Sequence, residues 1–136
     1  MKVIAAAEEM EMFPAQLSKG QLEAEITKAI IQFEREHLGR GPQEARTWII
    51  QDVIFIRLKG VLTPAEEKLA RDPEGRDLIK RVRMQLIEGS RPMLEDLVQR
   101  IIEVPIISLH SDISTRTGER IIVLTLGEDL EARLGG

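Results

Sequence analysis

Residues 110–119 read His-Ser-Asp-Ile-Ser-Thr-Arg-Thr-Gly-Glu, and the segment 112–118 is the densest collection of hydroxyl, carboxylate and guanidinium groups in the chain. Three kinds of chemistry are conceivable there. A metal could use His110 and Asp112, which share one face of an extended strand. It would need a further ligand, and Glu119 across the hairpin is the only local candidate, so no metal site is expected. A Ser-His-Asp triad fails because Ser111 points to the opposite face from its two neighbours. No catalytic residue is assigned. Anion binding fits better. Ser114, Thr115, Arg116 and Thr117 combine hydroxyls, a guanidinium and backbone N–H groups, which suits a carboxylate, bicarbonate or phosphate. A purely structural reading competes with it, in which Asp112, Ser114 and Thr117 shape the turn and Gly118 supplies a positive φ. His110 is expected at the end of a strand, hydrogen-bonded within the loop.

A second basic loop, Leu38-Gly39-Arg40-Gly41-Pro42, could cradle an anion with Arg40 as its charge. It also reads as a plain helix stop, because it lacks the length and Lys of a P-loop. There is no Walker motif, no dinucleotide fingerprint and no His-Glu-x-x-His.

The focal loop joins two Ile/Val-rich runs, 104–111 and 119–126, which read as a β-hairpin. A first hairpin is expected at 46–50 and 53–59 around Gln51-Asp52. There Ile54, Ile56 and Leu58 form one aliphatic face. Trp48 within it is expected as a core or interface anchor. Ser18 with Gln21 has the form of a capping box opening a helix to about Leu38. Its apolar face is Leu22, Ile26, Ala29, Ile30, Phe33 and His37, with Glu23, Lys28, Glu34 and Arg35 mostly solvated. Thr63-Pro64-Ala65-Glu66 and Asp72-Pro73 start two more helices. Gly89-Ser90-Arg91-Pro92 should interrupt or kink the second, giving a third. The cations Arg76, Lys80, Arg81 and Arg83 read as a solvated face.

The predicted class is therefore α+β, with two antiparallel hairpins forming one sheet, helices packed on it, and the order αββαααββ. A helix precedes each hairpin, the pattern that an internal duplication would leave. A chain of 136 residues predicts one domain. We expect an N-terminal arm over 1–17, the domain over 18–130 and a frayed end over 131–136. A net charge of −4 and 3% aromatics argue against a nucleic-acid partner. No Cys is present and no apolar run spans a bilayer, so a cytoplasmic protein is expected. Both sheet faces carry apolar residues, which predicts a homodimer covering whatever one chain's helices leave open.

Four blocks resemble the MpsC-like family: Lys19-Gly20-Gln21-Leu22-Glu23 with Ile26, the 38–42 loop, Arg57 through Glu66, and His110 through Glu119. The resemblance covers about 18–126. It implies a small soluble component of a bacterial Na+-translocating, membrane potential-generating system whose other members are membrane proteins linked to inorganic-carbon uptake. A membrane transporter partner and peripheral attachment through it are what the resemblance implies, and no cofactor is expected. The expected function is thus a non-enzymatic accessory protein binding a small anion at Arg40, His110, Asp112, Ser114, Thr115, Arg116, Thr117 or Glu119. The alternative is an enzyme or nucleotide-binding protein with its site at the 110–120 loop.

Overall fold

The computed structural model describes residues 17–135. All but the last residue of the expected N-terminal arm lies outside them. The elements are α1 (Lys19–His37), β1 (Glu44–Ile50), β2 (Val53–Lys59), α2 (Pro64–Leu69), α3 (Pro73–Ile102), β3 (Ile106–Ser114), β4 (Glu119–Leu126) and α4 (Leu130–Arg133). The strands form one antiparallel sheet in the order β1-β2-β4-β3. The α+β class and the pair of hairpins are as expected. The hairpins meet through β2 and β4, with a long helix before each, the arrangement that two copies of a helix–hairpin unit would give.

Local signals start the helices where the sequence places them. Ser18 and Gln21 close a capping box on α1 at 3.1 and 2.9 Å. Thr63 and Glu66 do the same on α2, and Asp72 caps α3 through Gly75 N. The Gly89–Pro92 stretch, however, does not break the helix: α3 runs unbroken for 30 residues with Pro92 inside it. The reason is packing. Ile79, Arg83, Ile87, Ser90, Leu94, Val98 and Ile102 form one continuous buried stripe, while Pro92 sits on the exposed side. Burial along the whole stripe outweighs one missing hydrogen bond at proline. Leu78, Val82 and Leu86 point outward instead, each more than two-fifths exposed.

α1 and α3 pack side by side on one sheet face. Ile54, Ile56 and Leu58 of β2 and Ile122 and Leu124 of β4 are fully covered beneath them. Each such side chain contributes about 1.5–3 kcal/mol by leaving water. The opposite face has no helix on it among the described residues. It carries a cross-strand row of Trp48, Phe55, Val123 and His110. Trp48 is therefore not a core residue. It is half-buried, 5.5 Å from the Phe55 ring, with the Arg46 guanidinium 4.8 Å from its centroid.

The C-terminal segment is ordered further than expected. Leu130 is buried, and Glu131 accepts hydrogen bonds from Lys19 Nζ and Gln51 N, each at 2.8 Å. The Glu131 partner raises the Lys19 ammonium and, reciprocally, Lys19 lowers the Glu131 carboxyl. This contact ties α1, the β1–β2 turn and α4 together.

Candidate functional site

The site lies at the sheet end where β3 turns into β4, against the junction of α2 and α3. β4 covers the expected 119–126, whereas β3 is shifted toward the loop, from the expected 104–111 to 106–114. β3 reaches Ser114, so Asp112 and Ser114 are strand residues and the true loop is only 115–118. The Ser114 hydroxyl accepts from Thr117 N, and the Thr117 hydroxyl accepts from Glu119 N, both at 3.3 Å. Gly118 N donates to Ser114 O at 2.8 Å. Gly118 adopts a φ of 73°, a region where a side chain is strained. These groups shape the turn. Thr117 N, Gly118 N and Glu119 N are thus used within the turn, and Arg116 is exposed beside the half-buried Thr115.

A chain of contacts holds this loop against the helices. Arg83, which is 4% exposed, donates through Nε to Glu66 Oε2 at 3.0 Å, and through one terminal nitrogen to Glu66 Oε1 at 2.6 Å and Val61 O at 2.9 Å. Val61 N in turn donates to Gly118 O at 3.0 Å. Burial pushes the Glu66 carboxyl up, but Arg83 and the Thr63 amide together outweigh it and hold it below its ordinary value. Arg83 is thus a structural residue and not part of a solvated basic face. Close approach of α2 to α3 requires Gly75: a Cβ there would lie 1.8 Å from Leu69 O.

The result is a cleft of about 710 Å³ lined by Leu62, Glu67, Ala70, Thr115–Gly118 and the guanidiniums of Arg71, Arg76 and Arg116. A volume of that order is in the range of small-molecule sites. Arg71 and Arg116 have no carboxylate partner among the described residues, and Arg76 donates only to Ala70 O at 3.1 Å. A second cleft of about 440 Å³ shares the wall of Arg76, Thr115 and Arg116 and adds Lys80, Asp112, Ser114 and Glu119. Lys80 pairs with Asp112 at 3.2 Å, and Arg57 pairs with Glu119. Three arginines around one volume, against the single carboxylate of Glu67, give a net positive lining, and a guanidinium offers paired donors suited to phosphate or carboxylate oxygens.

Of the sequence candidates, Thr115, Arg116, Thr117, Ser114, Asp112 and Glu119 come together around these two clefts. Arg40 lines neither. His110 lies on the open sheet face, in mid-strand and not at a strand end, with Nε2 3.2 Å from Ser108 Oγ. The sequence reading missed Arg71 as a candidate and placed Arg76 and Lys80 on a solvated face. Arg71 lies between the Ala70 C-cap of α2 and the Asp72 N-cap of α3, and Arg76 and Lys80 are four residues apart on the N-terminal part of α3.

A further arginine is buried without a cleft. Glu34 and Arg120 form an ion pair in which both side chains are 1% exposed. Arg120 Nε also donates to Ser111 Oγ at 3.1 Å. Glu34 was expected in solvent. It is drawn inward because β4 presents a guanidinium directly beneath α1. Arg120 Nη2 has no hydrogen-bond partner among the described residues.

A helix-backed antiparallel sheet with an arginine-lined cleft at one end makes this a small α+β domain. No group of His, Asp and Glu able to hold a metal occurs among the described residues. None of their helices is long and apolar enough to cross a membrane. The chain belongs to the MpsC family, described as a Na+-translocating membrane potential-generating system, whose pattern matches residues 18–128. It is 44% identical over 117 residues to the uncharacterized protein YbcI of Bacillus subtilis, covering 86% of this chain and 94% of that one. It is 25% identical over 109 residues to the uncharacterized protein YrhF of the same organism, covering 79% and 88%. No solved structure matches it with significance.

Proposed function

We propose that the protein is a non-catalytic accessory of a Na+-translocating, membrane potential-generating system, and that it acts by binding an anion in the cationic cleft. The observation that carries the anion half is the convergence of Arg71, Arg76 and Arg116 on one volume. Family membership supports the other half. His110 stands outside both clefts, so the sequence candidates do not all converge on one volume. In this reading the protein is cytoplasmic and reaches the membrane through a transporter partner.

The open sheet face is proposed to be covered by a second copy of the chain. Two such sheets packed face to face, related by an axis along the strands, place Phe55 over the partner's Val123 and Trp48 over the partner's His110. Sedimentation of the wild type as a dimer at tens of micromolar, and of Trp48→Glu as a monomer, is expected. A wild-type monomer contradicts the arrangement. The accessory role predicts that cells lacking the protein lose part of their Na+-dependent membrane potential. Wild type restores it and the Arg71→Ala/Arg116→Ala variant does not. An unchanged potential after deletion contradicts the proposal.

A further inference from the structure

The two adjoining clefts differ in charge. The first combines Arg71, Arg76 and Arg116 with one carboxylate, Glu67. The second combines Arg76, Lys80 and Arg116 with two, Asp112 and Glu119. Asp112 receives Lys80 and its neighbour Ile113 N on Oδ1. Glu119 receives Arg57 on Oε2. The Asp112 side chain is exposed and that of Glu119 partly so. A carboxylate at a cleft mouth accepts from hydroxyl groups and repels further negative charge. The shared wall of Arg76, Thr115 and Arg116 makes the two volumes neighbours, so a single ligand can occupy both. A bare inorganic anion would use the first and leave the second empty. Neither lining contains an aromatic ring, so no platform for stacking a nucleobase is present.

We infer that the ligand is a phosphorylated sugar, with its phosphate on Arg71, Arg76 and Arg116 and its hydroxyls on Asp112 and Glu119. The inference rests on the anion-binding reading above and gives that site its ligand class. Two added hydroxyl–carboxylate hydrogen bonds are expected to improve affinity over inorganic phosphate by at least about tenfold.

Calorimetric titration of the full chain with inorganic phosphate, ribose 5-phosphate and ADP tests it. Ribose 5-phosphate should bind at least about tenfold tighter than phosphate, whereas any extra affinity of ADP should come from its second phosphate and not from its base. In Asp112→Asn/Glu119→Gln the sugar phosphate should lose its advantage. Inorganic phosphate should bind that variant at least as tightly, because two negative charges are gone. This last pattern separates hydroxyl recognition from a folding defect, which would weaken both ligands. Equal binding of phosphate and ribose 5-phosphate, with both lost in Arg116→Ala, overturns the sugar assignment and leaves the anion site standing. An advantage of ribose 5-phosphate over inorganic phosphate that survives the double substitution also overturns it. If none of the three binds the wild type, the inference and the anion-binding reading fall together.

Discussion

Two regions of this molecule use arginine for opposite purposes. Under the sheet and at the α2–α3 junction, Arg120 and Arg83 are buried against Glu34 and Glu66 and hold elements together. At the end of the sheet, Arg71, Arg76 and Arg116 face a cleft with no carboxylate paired to them among the described residues. The difference is one of compensation. A guanidinium taken out of water must find an anion in its own chain, or the fold bears several kcal/mol of desolvation. One left at a cleft mouth keeps its water until an anion replaces it.

Breaking the buried pair should have the largest effect. Glu34→Ala leaves Arg120 charged and unpaired in the core, at a cost of about 3–5 kcal/mol in denaturant unfolding. The paired change Glu34→Met/Arg120→Met should recover most of it, because an apolar pair of similar volume needs no compensation. A small loss in Glu34→Ala would mean that Arg120 is not confined as described.

Gly75→Ala comes next. Its Cβ would meet the Leu69 carbonyl, and the forced shift should cost about 1–3 kcal/mol. Because α2 and α3 carry Arg71 and Arg76, anion affinity should fall with stability. Unchanged thermal unfolding would show that the junction is looser than the contact implies.

Thr63→Ala removes the α2 cap and should cost about 0.5–2 kcal/mol. The same motif sets a pH dependence. The Glu66 carboxyl is held below its unfolded value of 4.5. Its contribution is complete above that pH and is lost as pH falls through the lower folded value. Acid unfolding of Glu66→Gln should therefore show a shallower fall in stability below about pH 4.5. Parallel acid profiles for variant and wild type would remove Glu66 from the account.

The same contrast separates what the sequence made legible from what it did not. Ser18, Thr63 and Asp72 start helices through contacts with residues three positions on. The Ile54-Ile56-Leu58 alternation turns one face inward by strand geometry alone. Such signals are local and readable. Glu34 and Arg120 are 86 positions apart, and neither has a local feature that marks it as buried. Pro92 misled because its local cost is outweighed by a buried stripe that runs from Ile79 to Ile102. The cleft was half legible. Arg116 and Thr115 stand out in their loop, but Arg71 and Arg76 join them only through the packing of α2 on α3.

The most direct test of the division between holding and binding arginines is calorimetric titration of inorganic phosphate into wild type, Arg116→Ala and Arg116→Lys. Arg116→Ala should unfold within about 0.5 kcal/mol of wild type, as an exposed loop side chain does, yet lose about 1.5–3 kcal/mol of binding. Arg116→Lys should recover only part of that, because an ammonium lacks the planar pair of donors. Equal phosphate affinity in wild type and Arg116→Ala, or no binding to either, would contradict the account.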